Sequence, residues 1–118
     1  AKVCFICMPN ATMGFSVSHK YFDAKLIPES YIMLKNAVQL ECGVTAQDIA
    51  ANMGVTKPLA IVNNECVITI GKNLTKAFDR MEVTDYSARS IIAACNIAQI
   101  TPINDEQSAE IDRTFNGW

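Results

Sequence analysis

Between Asn73 and Ala98 the chain contains neither proline nor glycine. Apolar residues recur along this stretch at spacings of three and four, which predicts one long amphipathic helix packed against a sheet. Asn73 is a favourable N-cap residue, and Pro102 follows the expected end of the helix. The side chains expected on its buried face are Leu74, Ala77, Phe78, Met81, Ala88, Ile91, Ile92 and Cys95.

One acidic residue, Asp85, falls on or near this apolar stripe. A carboxylate there needs a partner, because an unpaired charge is costly to bury. The expected partners are the N-terminus of another helix or a basic residue, with Arg80 and Arg89 of the same helix as one possibility. The sequence therefore favours a structural role for Asp85 over a catalytic one.

Four short runs before this helix predict strands. The first is continuously apolar and predicts a strand buried on both faces. The last two are separated by the turn-like residues Asn63, Asn64 and Glu65. The four runs are Val3–Met8, Val38–Cys42, Pro58–Asn63 and Cys66–Ile70.

Shorter helices are predicted between and after the strands. The first has Thr12 as a possible N-cap, and Thr45 with Asp48 resembles a capping box for the third. The alternation of strands and helices predicts an α/β fold, a central sheet with flanking helices, in a single domain of residues 1–118. The expected helices are 12–18, 45–53 and about 104–114, with 31–34 as a short helix or a turn.

Composition limits the classes of partner. The 118 residues carry a net charge of −2 with Lys and Arg scattered along the chain, so nucleic-acid binding is not expected. No apolar run is long enough to cross a membrane, and the first residues do not resemble a signal peptide. The cysteines are odd in number and lie in apolar segments, which predicts buried free thiols in a reducing cytoplasm. They are Cys4, Cys7, Cys42, Cys66 and Cys95.

Residues 61–77 resemble a signature of the class II aldolase/adducin family. In that family a strand is followed by Asn-His-Gly, four mostly apolar residues, a glycine, a helix cap and Leu-x-x-Ala; here Gly71, Asn73, Leu74 and Ala77 match in register. Residues 7–12 (CMPNAT) resemble the segment that follows the family's His-x-His strand. The resemblance covers nearly all of this chain but only the C-terminal half of a family domain. It implies a class II aldolase-like fold, a truncated three-layer α/β/α arrangement.

The resemblance also locates the positions at which the family holds zinc. Three histidines there bind a Zn²⁺ ion that polarises a hydroxy-ketone substrate. In this register the three positions are Phe5, Cys7 and Glu65, with Asn64 beside the third. Phenylalanine cannot bind a metal; Cys7 and Glu65 could, but one thiolate and one carboxylate are too few for a zinc site. The family's catalytic carboxylate and phosphate-binding loops precede the matching segment. The resemblance therefore implies a vestigial site at Phe5, Cys7, Asn64 and Glu65, with no zinc cofactor and no catalytic residue assigned.

Simpler interpretations of the same residues are favoured at three places. Cys4 and Cys7 have a Cys-x-x-Cys spacing, but on a strand they point to opposite faces, which favours core residues over a redox or metal pair. The Asn63–Glu65 segment is more typical of a turn that uses asparagine at positive φ. His19, the only histidine, is typical of a solvated surface residue.

Three hypotheses for function follow. The first is a degenerate aldolase-like domain that binds a small sugar-like or phosphorylated ligand or serves in assembly, as a homo-oligomer that covers an exposed sheet edge. The second is an active sugar-phosphate aldolase completed by a neighbouring subunit or an absent N-terminal segment. The third is an unrelated α/β interaction domain, which would be favoured if strand 66–70 did not lie beside strand 3–8.

Overall fold

The computed structural model describes residues 3–115. Every predicted strand and helix has a counterpart among them, with boundaries that differ by a few residues. In chain order the elements are β1 (Val3–Cys7), α1 (Asn10–Ser18), α2 (Pro28–Leu34), β2 (Ala37–Leu40), α3 (Ala46–Asn52), β3 (Leu59–Val62), β4 (Cys66–Gly71), α4 (Leu74–Cys95) and α5 (Asp105–Thr114).

The strands form one four-stranded sheet in the order β1-β4-β3-β2. β4 pairs antiparallel with both β1 and β3, whereas β2 and β3 are parallel. In the first ladder Phe5 lies opposite Thr69 and Cys7 lies opposite Val67. The pairing of β1 with β4 is the arrangement that the aldolase-like hypothesis required.

One face of the sheet packs against α1, α2 and α4. Alternate residues of the central strands, including Leu59, Ile61 and Val67, point into this core. They meet Phe15, Met81 and further apolar side chains from the helices. This helix layer contains most of the buried apolar surface.

The opposite face is covered only in part. Ala60, Val62 and Ile68 form a second small core with Ile49, in the middle of α3, and Met53, at its C-cap. The covering by α3 completes a three-layer α/β/α fold, as predicted. α3 does not extend over β1, where Cys4 and Ile6 are exposed. The prediction that this strand is buried on both faces was therefore wrong.

The helix starts that the sequence predicted correctly are those with a side-chain cap. The side chain of Asn73 accepts a hydrogen bond from the amide of Lys76 at the start of α4. Thr45 forms a capping box with Asp48, and Asn104 forms one with Gln107. Thr12 was not the cap of α1, because that helix begins at Asn10 and Thr12 lies buried in its first turn.

The buried side of α4 is more polar than the periodicity predicted. Leu74, Phe78, Ile92 and Cys95 are exposed, and Arg80, Thr84 and Ser87 are buried instead. The two hydroxyls are satisfied within the helix, since Thr84 Oγ1 donates to Arg80 O and Ser87 Oγ donates to Val83 O. The guanidinium of Arg80 instead donates to carbonyls of α2 and β4. Because α4 lies between the sheet, α1 and α2, its buried surface is set by three neighbours rather than one apolar stripe.

The expectation of buried thiols was also wrong. Cys4, Cys42 and Cys95 are exposed, and Cys7 and Cys66 are half-buried. All five are free thiols. Among the described residues, no helix is long and apolar enough to span a bilayer.

Candidate functional site

The carboxyl ends of β1, β2 and β3 lie at the same end of the sheet, because β2 and β3 are parallel and β4 runs opposite to both β1 and β3. Ligands of open α/β sheets commonly bind outside the carboxyl ends of strands. The β3–β4 turn lies at this end, as do the residues that follow β1 and β2. We call the polar and thiol side chains gathered here the strand-end cluster: Cys7, His19, Gln39, Cys42, Asn64 and Glu65.

The β3–β4 turn has the structure that its asparagines predicted. Asn64 has a φ of 64°, in the left-handed region that asparagine tolerates. The amide of Glu65 donates to Val62 O at 3.0 Å, which closes the turn. Ser16 Oγ also donates to Val62 O at 3.0 Å, so α1 holds the turn from the helix side.

His19 lies against this turn. Its Nε2 and the Oδ1 of Asn64 are 2.6 Å apart and hydrogen-bonded. The histidine ends α1 in a left-handed conformation with a φ of 58°, and it is exposed as predicted. The contact brings the only histidine of the chain beside one of the four candidate site positions.

Glu65 connects the turn to the loop after β2. Its Oε2 accepts a hydrogen bond from the amide of Gly43 at 2.6 Å. Gly43 has a φ of 86°, which glycine adopts without strain. A hydrogen bond to Glu65 is the main cause that raises the pKa of the Cys42 thiol, with smaller contributions from burial and from the charges of Glu65 and Glu41. The carboxylate thus serves to hold this loop.

Phe5 and Cys7 lie on the helix side of β1. Phe5 packs edge-on against Phe78 of α4, with ring centroids 5.6 Å apart. Both residues are half-buried and pack against the main core. Cys7 lies opposite Val67 in the ladder, two residues from Glu65 in sequence, so the second and third positions share one end of the sheet.

The donors at these positions do not fit a zinc ion. Zinc sites use at least three nitrogen, sulfur or oxygen ligands from the protein. Phe5 has none, which leaves at most Cys7 and Glu65, and one oxygen of Glu65 already accepts a hydrogen bond from Gly43. Within residues 3–115 no group of three or more His, Cys, Asp or Glu side chains is placed to hold a metal.

Gln39 is a member of the cluster that the sequence reasoning missed. Its Nε2 donates to Lys20 O at 2.8 Å and to Asn63 Oδ1 at 3.3 Å, and its Oε1 accepts from the amide of Phe22 at 3.2 Å. The side chain therefore fixes the segment after α1 to the edge of the sheet. Gln39 is the only polar residue of strand β2, and this feature of the sequence could have identified it.

A groove of about 970 Å³ begins beside Pro9, where β1 ends, and runs along α4. Asp79, Glu82 and Asp85 of α4 and Glu29 of α2 line it, with Arg89 as the one basic residue among its lining side chains. Tyr86, a largely exposed aromatic side chain, also contributes to the wall. The groove is acidic and therefore a poor place for a phosphate group.

Known proteins resemble this chain in structure but not detectably in sequence. No known family profile matches the chain, and no curated protein matches it either. Among solved structures, L-fuculose 1-phosphate aldolase from Glaciozyma antarctica PI12 superposes with a TM-score of 0.73 over 88% of this chain at 20% identity. An aldolase II superfamily protein from Pseudomonas syringae superposes with a TM-score of 0.70 over 94% of this chain at 16% identity.

The superposed segments represent 40% of the first of these proteins and 47% of the second. The chain thus spans less than half the length of either. Its central sheet with flanking helices and its strand–turn–helix segment are those that the resemblance at residues 61–77 implied. The chain therefore has the class II aldolase-like fold, over a segment that corresponds to less than half of an aldolase of this kind.

Proposed function

We propose that this chain is a degenerate relative of the class II aldolases that acts as a small-molecule-binding or assembly module and not as a zinc-dependent lyase. One observation carries the proposal. The first zinc position is Phe5, whose ring is packed against Phe78, and the third is Glu65, whose carboxylate binds Gly43. Phe5 therefore offers no donor atom to a metal, and one carboxylate oxygen of Glu65 is already used to hold the loop after β2.

The groove beside Pro9 is the favoured place for a ligand. Its four acidic side chains and single basic one favour a neutral, sugar-like molecule over a phosphorylated one. Carboxylates accept hydrogen bonds from sugar hydroxyls, and Tyr86 offers an aromatic face for a sugar ring. We place the protein in the cytoplasm, where its exposed thiols would stay reduced.

The alternative is an active sugar-phosphate aldolase whose remaining groups come from a neighbouring subunit or from a preceding segment. This chain spans only 40% and 47% of the two structurally similar proteins. That coverage supports the alternative, because a complete site would then need residues from elsewhere. In that case the chain would supply part of a site and another polypeptide segment the rest. The two proposals differ in whether the chain binds zinc and cleaves a sugar phosphate.

A direct experiment measures zinc content and aldol cleavage together. The 118-residue chain is incubated with excess zinc, desalted, and analysed for metal by mass spectrometry, and cleavage of L-fuculose 1-phosphate is followed in the same sample. We expect far less than one zinc per chain and no cleavage. One zinc per chain together with cleavage would establish the alternative.

A gain-of-function variant tests the assignment of the three positions. If the register is right, Phe5→His, Cys7→His and Glu65→His in one chain should create a site that retains zinc. The matched control places two of the histidines on the other face of β1, as Cys4→His and Ile6→His with Glu65→His. Equal zinc retention by the two variants would show that the register is wrong.

A further inference from the structure

α5 is attached to the rest of the fold by little apolar surface. Ser108 is buried and Ile111 is half-buried, whereas the other residues of this helix are exposed. Among residues 3–115, neither apolar core includes a side chain of α5. Elements with few buried apolar contacts can open at a lower free energy than unfolding of the whole domain requires. The apolar contacts of α5 therefore dock it only weakly.

The side chain of Asp112 makes the polar contacts that dock α5 on α2. Its carboxylate accepts a hydrogen bond from the hydroxyl of Tyr31 at 2.9 Å and another from Nζ of Lys35 at 2.9 Å. Tyr31 belongs to α2, and Lys35 is the C-cap of that helix. A second ion pair, between Lys25 and Asp105 of α5, has a separation of 3.9 Å and a fully exposed carboxylate, so it contributes little. Asp112 is therefore the main side-chain attachment of α5.

Lys35 makes this contact from a strained backbone conformation. It has a φ of 52° and a ψ of −110°, which glycine adopts far more readily than a residue with a Cβ. A residue is held in such a conformation only where the surrounding contacts over-determine it. The hydrogen bond to Asp112 is one such contact, and the position of the ammonium 5.0 Å from the centre of the Tyr31 ring is another. The strained residue and the attachment of α5 thus form one structural unit.

Two features of the docked state oppose these contacts. Ser108 Oγ is buried yet has no hydrogen-bond partner within residues 3–115, and an unpaired buried hydroxyl is unfavourable. An open cavity of about 350 Å³ lies between α5 and Pro28, so the helix packs incompletely against α2. Release of α5 would therefore expose Ser108 to water and give up little packing.

We propose that α5 undocks from α2 and docks again as one unit while the rest of the fold stays intact, with the contacts of Asp112 to Tyr31 and Lys35 as the latch. The amide of Ile103 donates to Lys25 O at 2.6 Å, which fixes the chain just before α5, so the movement begins after this residue. Undocking gives solvent access to the hydroxyl of Tyr31, a residue that is 6% exposed when α5 is docked. This conformational change does not depend on the proposed function.

The experiment is native-state amide hydrogen exchange of the full chain, followed at single amides by NMR. We expect the hydrogen-bonded amides of α5 to exchange about a hundredfold or more faster than those of β3, at rates that low urea concentrations do not change. Asp112→Asn should speed exchange in α5 by about tenfold or more, because it removes the charge that both donors face. The matched control is Glu110→Gln, the same change at an exposed residue of α5, which should exchange like the unmodified chain.

A core variant then separates undocking from unfolding. Ile61→Val, at a fully buried residue of β3, should speed exchange in β3 several-fold and leave α5 unchanged, since undocking does not open the core. Lys35→Met should speed exchange in α5 as Asp112→Asn does, and the two changes together should add little, because they remove the same contact. Amides of α5 that exchange as slowly as those of β3, an Ile61→Val effect shared by α5, or an Asp112→Asn effect no larger than that of Glu110→Gln would each overturn the proposal.

Discussion

Asp85, in the middle of α4, accepts two hydrogen bonds from Thr12 in the first turn of α1. The amide of Thr12 donates to Asp85 Oδ1 at 3.0 Å and its hydroxyl donates to the same oxygen at 3.1 Å. The other carboxylate oxygen accepts from Arg89 at 2.9 Å. Both kinds of partner that the sequence suggested, a helix N-terminus and a basic residue, are present. The contact fixes the start of α1 close to the end of β1.

Replacing Asp85 with alanine should lower the free energy of unfolding by about 2 kcal/mol, because two donors of Thr12 lose their acceptor. Urea denaturation followed by circular dichroism measures the change. Glu82→Ala, at an exposed position one turn earlier on the same helix, is the control and should have little effect. Equal stability of the two variants would mean that the Thr12 contact contributes nothing measurable.

The same carboxylate should make stability depend on pH. Burial raises the pKa of Asp85, but hydrogen bonds from Arg89 and Thr12 and the charge of Arg89 outweigh it and leave the pKa below its ordinary value of 3.8. A pKa that is lower in the folded state gives stability that is complete above the unfolded value and is lost as pH falls through the folded one. The difference between the unmodified chain and Asp85→Ala should therefore be constant from neutral pH to about pH 5 and shrink below about pH 4.

Arg80 should be among the residues that stability depends on most. Its guanidinium is buried and donates to Met33 O at 2.8 Å and to Ile70 O at 2.9 Å, which joins α2 and β4 to α4. Arg80→Met keeps much of the apolar volume but removes both donors, and we expect a loss of about 3 kcal/mol or more. The change is measured by urea denaturation, with Arg89→Met as a control that should cost well under half as much. A loss below about 1 kcal/mol for Arg80→Met would contradict this role.

Two glycines should respond to alanine in opposite directions. A Cβ on Gly71 would lie 2.7 Å from the amide nitrogen of Ala77, whereas one on Gly14 would meet nothing within 4 Å. Gly71→Ala should destabilise the turn into α4, since backbone cannot easily move aside. Gly14→Ala should stabilise α1 by about 0.5–1 kcal/mol, because glycine is unfavourable within a helix. Thermal unfolding of the two variants should shift in opposite senses, and a stabilising Gly71→Ala would be inconsistent with the close approach.

The influence of Glu65 on the Cys42 thiol predicts a change in reactivity. Since hydrogen bonding to Glu65 is the main cause that raises the Cys42 pKa, Glu65→Gln should lower that pKa and increase the thiolate fraction. Alkylation of Cys42 by iodoacetamide, followed by peptide mass spectrometry over a range of pH, should then speed up and shift toward lower pH. Cys95, also exposed, provides the internal control in the same sample. An unchanged profile for Cys42 would argue against the contact.

Much of the secondary structure could be predicted because its determinants are local. The caps at Asn73, Thr45 and Asn104 bind amides three residues away, so the residues that set each helix start are adjacent in sequence. The β3–β4 turn depended on an asparagine at positive φ, which the residue type itself favours. The family resemblance added the pairing of β1 with β4, which no local pattern could provide.

Burial was predicted least well, because it depends on which element covers a face. The apolar run in β1 suggested two covered faces, but α3 reaches only β2, β3 and part of β4, so Cys4 and Ile6 stay exposed. The exposure of Cys42 and Cys95 likewise follows from their places at the ends of elements. The burial of Arg80 follows from carbonyls supplied by two distant segments.

By itself, the sequence determined the order of strands and helices, the starts of α3, α4 and α5, and the absence of a metal-binding side chain at Phe5. Only the tertiary structure decided that Glu65 binds Gly43, that Asp85 holds α1, and that α3 leaves Cys4 and Ile6 exposed. The physical reason is the distance along the sequence between the interacting residues. A cap or a turn is set within a few residues, whereas the partner of a side chain and the cover of a strand come from segments that only folding brings together.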